Sequence, residues 1–151
     1  MKIEEIAQEF KLEGKIINIK ENKTGNINKT YIIITDKKKY ILQKINTLVF
    51  NEPYLLMQNI ENVTNYYKKY LKKNGGDTER ETLSVIKTKE GINLYRNEDE
   101  YYRMYNYVDN AITYDKSESE EMFYNVGKAF GHFVKVLNNY PMESLNETIP
   151  N

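Results

Sequence analysis

Two runs rich in Ile and Tyr, KTYIIIT (29–35) and KYILQKI (39–45), are separated only by Asp36, Lys37 and Lys38. A link this short joins strands only as antiparallel neighbours, because parallel strands need a crossover of about a dozen residues or more. The two runs therefore form a hairpin, and the rest of the chain must be built onto it. Ahead of them GKIINIKEN (14–22) reads as another strand, and the intervening loop 23–28 carries Gly25, Asn26 and Asn28 just before Thr30. A hairpin explains the strands but not a loop of that composition.

The flanking segments switch period. Ile3, Ile6, Ala7 and Phe10 recur at helical spacing. After the hairpin, Asn51 is placed to cap a helix and Pro53 suits its first turn; Leu56, Ile60, Val63, Tyr67 and Leu71 line one face until Asn74-Gly75-Gly76 ends it. ETLSVIKT (81–88), GINLYR (91–96) and EYYRMYNYV (100–108) are three further strand candidates, the first two joined by a Lys89-Glu90-Gly91 turn. Ser117 with Glu120 has capping-box spacing, and Met122, Phe123, Val126, Phe130, Phe133, Val134 and Leu137 form the apolar stripe of a long helix over 117–140. The order is helix, three strands, helix, three strands, helix. Without strand–helix alternation the expected class is α+β, an antiparallel sheet of five to six strands with packed helices.

Composition narrows the functional classes. The 151 residues suit one domain with a sizeable core. Lys+Arg and Asp+Glu both number 22, so no net field draws the chain to nucleic acid or an acidic membrane. There is no cysteine, which removes disulfides and thiolate metal sites. MKIEEIAQEFKLEG has no apolar run long enough for a signal peptide or a spanning helix, so the expected location is the cytoplasm, with the Asn-x-Thr triplets at Asn28, Asn62 and Asn146 unglycosylated.

TGNINKTY (24–31), YILQKINTLVFNEPYLLMQNIENVT (40–64) and YYRMYNYVDNAITYD (101–115) together resemble the aminoglycoside phosphotransferase/choline kinase superfamily, and within it they are most similar to the N-acetylhexosamine 1-kinase group. The resemblance runs from about Phe10 to the last residue, and its middle segment is the specific part. It implies a protein-kinase-like N-terminal lobe over 1–105, a hinge linker over 106–116, and the first helical part of a C-terminal lobe over 117–151. It also implies that the loop after the first strand covers the phosphates of ATP. Gly25 would admit close approach of the backbone, while Asn26, Asn28 and Thr30 would add donors. Set against this is an ordinary Gly-Asn turn.

Protein kinases pair a lysine of the third strand with a glutamate of the following helix. Ile41 and Gln43 share one face of the strand and Lys44 takes the other. If Ile41 meets adenine, Gln43 and not Lys44 holds the phosphate-side position; the competing assignment keeps Lys44 there. On the helix, taking Leu56 as zero, Asn59 lies about 60° from the centre of the apolar stripe and Glu61 about 140° away. The expectation is a neutral Gln43–Asn59 amide pair in place of the ion pair. Adenine in such enzymes bonds a carbonyl and an amide one residue apart, which map to the Asn106 carbonyl and the Val108 N–H, with Ile17, Ile32 and Ile41 as apolar walls. Tyr66, Tyr67 and Tyr70 fall at helical spacing and read as packing residues.

The superfamily's catalytic loop, His-Gly-Asp with a nearby Asn, and its second Asp-containing loop do not occur in the sequence. The only histidine, His132, sits mid-helix and is followed by Phe. Asp109, Asp115 and Glu118 to Glu121 show no spacing that demands metal. The expectation is therefore a nucleotide-binding portion without catalytic residues, inactive alone, with Mg supplied mainly by a C-terminal lobe and a sugar bound in the complete protein. An aminoglycoside acceptor stays open, as does GTP in place of ATP. The alternatives are a non-catalytic binding module, with the apolar face of the last helix closing a homodimer, or a pseudokinase fragment.

Overall fold

The computed structural model describes residues 1–23, 25, 27–114 and 116–149. Six strands form one antiparallel sheet: β1 (Ile16–Asn22), β2 (Lys29–Thr35), β3 (Lys39–Lys44), β4 (Val85–Ile86), β5 (Tyr95–Asn97) and β6 (Glu100–Asn106). The helices are α1 (Ile3–Gln8), α2 (Pro53–Asn74) and α3 (Glu120–Leu137), with a 3-10 turn at Met142–Ser144. The expected α+β class and strand number are observed.

The order is β1-β2-β3-β6-β4, and β5 also pairs with β6. β3 takes one edge of β6 along residues 102 to 106, so β4 and β5 share the other edge in succession, at Met104–Tyr105 and at Glu100–Tyr102. The runs 81–88 and 91–96 therefore do not form a hairpin with each other, although the turn between them forms, with Gly91 at φ +86° donating to the Thr88 carbonyl. Only the end of the first run, Lys87 and Thr88, serves the N-terminus. Phe10 bridges Thr88, and the Lys11 and Lys89 N–H groups donate to the Lys87 and Glu9 carbonyls.

Alternation divides the sheet cleanly. Ile33, Tyr40, Leu42, Tyr102 and Met104 pack with Ile6, Ala7 and Phe10 in one core, so α1 covers that face. Ile45 of the β3 exit and Tyr101 pack with Leu56, Met57 and Leu94, so α2 covers the opposite face. Gln43 and Ile41 of β3, with Arg103 and Tyr105 of β6, share that second face by period 2.

Pro53 opens α2 as its first residue, where its missing N–H costs nothing, and the boundary residue is Glu52, not Asn51, with no side-chain cap. Gly75, left-handed at φ +75°, ends it as expected. At α3 the cap is Ser119, whose Oγ accepts from the Met122 N–H at 3.1 Å; Ser117 spends its hydroxyl on the Ser119 carbonyl. Tyr67, Leu71 and Val136 join α2 to α3, flanked by Tyr66 and Tyr70, the packing role expected of those tyrosines. His132 is exposed, with its ring 5.7 Å from that of Tyr70. Among the described residues no helix is long and apolar enough to cross a membrane.

Candidate functional site

The residues singled out from the sequence fall into three places. The first lies around the β1–β2 loop. Asn28 fixes the far end of that loop, its Oδ1 accepting from the Asn46 N–H at 2.9 Å. Thr30, 7% exposed, donates its hydroxyl to the Asn28 carbonyl at 3.4 Å and accepts from Gln43 Nε2 at 3.1 Å. The register explains the second contact, since Thr30 stands opposite Gln43. A Cβ on Gly25 would lie 3.6 Å from the Asn28 carbonyl and 3.8 Å from Thr30 Oγ1, which is ordinary contact. The described residues around Gly25 therefore do not themselves require a glycine there. Asn26 lies outside the described residues.

Gln43 leads across the sheet to a residue the sequence reading missed. Arg103, opposite Gln43 in the β3–β6 register, donates through Nε to Gln43 Oε1 at 3.0 Å. It is 8% exposed, the one charged side chain buried among the described residues, and it has no carboxylate within ion-pair distance there. Its guanidinium lies 5.4 Å from the centroid of the Tyr105 ring. Burial pushes the pKa of this guanidinium down, opposed by Tyr105, and burial likewise pushes the Tyr105 phenol up. The signal available was an arginine inside an otherwise uncharged aromatic run, at a position that alternation puts beside Gln43.

Lys44 points to the other face and pairs with Glu100, which also accepts from the Tyr102 hydroxyl. Those two hydrogen bonds hold the Glu100 carboxyl below its ordinary pKa. The pairing matches the expected alternation of Gln43 and Lys44.

The second place is the end of β6. Asn106 and Val108 line a cavity of about 260 Å³ together with Lys39, Glu79, Tyr107 and Asp109. Asn106 Nδ2 donates to Glu79 at 2.8 Å, Lys39 pairs with Asp109 at 2.6 Å, and the Arg80 guanidinium donates to the Asp109 carbonyl at 2.7 Å. The Val108 N–H has no partner among the described residues. Between the two places, Ile32 and Ile41 stand directly opposite each other, half-buried, on the Gln43 face. Ile17, at the β1 irregularity, is 66% exposed.

Asn59 occupies the third place, and the expected Gln43–Asn59 pair does not form. Asn59 Nδ2 donates to the Asn146 carbonyl at 2.7 Å, and its Oδ1 accepts from the Asn146 N–H at 2.9 Å. The helical side chain thus copies a backbone bridge and ties the C-terminal segment to α2. Glu61, expected to point away from the sheet, instead reaches its flank, pairing with Lys87 and accepting from Asn93 at 2.8 Å. Angle from the apolar stripe misjudged both residues because α2 meets structure on its flanks as well as beneath it. Burial would raise the Glu61 carboxyl, but the Lys87 and Asn93 hydrogen bonds and the Lys87 charge outweigh it and leave the pKa lowered.

No protein-family model matches the sequence. Among solved structures, the chain is similar to a spectinomycin phosphotransferase crystallised with ADP and spectinomycin, at a TM-score of 0.54 and 11% identity over 94% of this chain. The chain has a kinase-like N-lobe fold. It spans 39% of the length of that phosphotransferase. Among the described residues no group of three or more His, Asp or Glu side chains converges as a metal site would require.

Proposed function

We propose that the chain is the nucleotide-binding portion of an ATP-dependent phosphotransferase acting on a small hydroxyl compound in the cytoplasm. The observation that carries this reading is the hydrogen-bonded line Arg103–Gln43–Thr30–Asn28, which runs beneath a glycine-containing loop in a kinase-like lobe. Residues 1–105 are the lobe, 106–116 the linker and 117–151 the start of a second lobe. Ile32 and Ile41 would flank the base, the Asn106 carbonyl and Val108 N–H would bond its edge, and Gly25, Asn26, Asn28, Thr30 and Gln43 would face the phosphates. Asn59 would act only indirectly, since its amide is engaged by Asn146.

The donor set does not fit magnesium, so the carboxylates that hold it would have to come from a second lobe. On this reading the 151 residues bind nucleotide and do not turn over. The acceptor favoured by the sequence resemblance is the anomeric hydroxyl of an N-acetylhexosamine; the phosphotransferase of similar fold held spectinomycin, which keeps an aminoglycoside-type acceptor in the comparison.

Calorimetric titration of the chain with ATP, ADP and adenosine tests the binding. Saturable binding of all three is expected, and Val108→Pro, which removes the linker donor, should weaken adenosine binding about tenfold or more. Failure of the wild-type chain to bind any of the three overturns the reading. Phosphorus NMR on the complete protein, with N-acetylhexosamines against aminoglycosides, decides the acceptor.

One observation favours a second reading, a binding module without chemistry. Phe123, Phe130 and Val134 of α3 are 73%, 69% and 64% exposed, an apolar face that a second copy of the chain would cover as well as a second lobe would. A stable dimer in sedimentation, lost in Phe130→Ser, would favour the module.

A further inference from the structure

The hydrogen-bonded line under the loop has a direction. A guanidinium only donates, so the Gln43 atom 3.0 Å from Arg103 Nε is the carbonyl oxygen, and the atom 3.1 Å from Thr30 Oγ1 is the amide nitrogen. That nitrogen carries two hydrogens. Thr30 takes one, and the other has no acceptor among the described residues. Thr30 in turn commits its own hydrogen to the Asn28 carbonyl. Every donor along the line therefore points from Arg103 toward the loop.

Arg103 itself is held at a cost. A buried cation normally sits against a carboxylate. Here it has the face of an aromatic ring and one amide oxygen, neither of which neutralises it. Lys44, the nearest lysine in sequence to Gln43, is on the opposite face and already paired with Glu100. The face that carries Gln43 thus holds buried positive charge and one uncommitted amide hydrogen, a combination suited to a phosphate-class anion.

We propose that Arg103 is a positioning residue for a phosphate-class anion at the β1–β2 loop: it locks the Gln43 amide so that its NH2 group, and not its carbonyl, faces Thr30 and the loop. Without Arg103 nothing distinguishes the two orientations of the amide. In the flipped state Thr30 would donate to the Gln43 carbonyl, and an oxygen would confront the anion. The inference rests on the nucleotide reading above and adds to it the group that replaces a strand lysine.

The test uses the full chain with ATP, inorganic tripolyphosphate and adenosine as probes. Arg103→Met and Gln43→Glu should each weaken ATP and tripolyphosphate by about tenfold or more while adenosine stays within about twofold. Gln43→Glu keeps the shape of the side chain and removes the NH2 group, so it carries the test should Arg103→Met fail to fold. Because Arg103 acts through Gln43, the Arg103→Met/Gln43→Ala double variant should lose no more than the worse of Arg103→Met and Gln43→Ala measured singly. The Gln43 side-chain amide should give one sharp pair of NMR signals in the wild type, perturbed by Arg103→Met and largely restored by Arg103→Lys. ATP binding at wild-type strength in Gln43→Glu or in folded Arg103→Met, equal losses for adenosine, or multiplicative losses in the double variant would overturn the positioning role and leave the nucleotide reading standing. A wild-type chain that binds neither ATP nor adenosine overturns both.

Discussion

The two long helices, α2 and α3, make the most instructive contrast in the molecule. Both are amphipathic, and both carry an apolar stripe that the sequence displays. In α2 the stripe is covered: Leu56, Met57, Tyr67 and Leu71 are buried against the sheet or against α3. In α3 only Val136 is buried, while Phe123, Phe130 and Val134 face outward. An apolar stripe states that a helix needs a partner, and in α2 the partner is already in the chain. In α3 the contact with α2 falls on one edge of the stripe, through Val136, Phe133 and His132, and leaves its middle bare.

Truncations on the two stripes should differ by several-fold in free energy. Met57 is fully buried between α2 and the β3 exit, so Met57→Ala should cost about 2–5 kcal/mol, the usual range for emptying such a site. Urea unfolding measures it. A loss below about 1 kcal/mol would mean that the α2 face is loosely packed and that the contrast with α3 is false.

The flank of α2 contributes less and does so only above a certain pH. Glu61 has a folded pKa below the usual 4.5. Its contribution is therefore fully present above the unfolded value and is lost as pH falls through the folded one. Glu61→Gln should cost about 1–2 kcal/mol at pH 7, from the weakened pair with Lys87. The difference between variant and wild type should shrink toward zero near pH 3. A difference independent of pH would place the effect in packing and not in the ion pair. Glu100, lowered by Lys44 and Tyr102, leaves an acid limb in the variant as well.

These cases show where the sequence was legible. Period and turn length carried the sheet, since the hairpin and the Gly75 stop depend only on neighbouring residues. They also put Gln43 and Lys44 on opposite faces, which the separate partners of the two side chains bear out. Contacts between distant segments were not legible. Gln43 meets Arg103 and Asn59 meets Asn146 across 60 and 87 positions, and nothing local to either residue names its partner. The strand candidate over 100–108 stops at Asn106: the Tyr107 N–H still bonds the Lys39 carbonyl, and the chain then turns into the cavity with Asp109. Helix angle misled at Glu61 because it describes the helix and omits the 87–93 segment beside it.

The smallest expected effect separates the readings of the bare α3 face. Phe130 is 69% exposed, so Phe130→Ser removes little burial and should change stability by no more than about 0.5 kcal/mol in dilute solution. A second copy covering that face would change the outcome in a specific way. The wild-type midpoint would then rise with protein concentration while that of the variant would not, because association stabilises only the form that binds. A midpoint independent of concentration in both proteins, with the predicted small shift, leaves the face uncovered in the 151-residue chain. In that case the bare stripe of α3 and the covered stripe of α2 differ only in whether the chain itself supplies the partner.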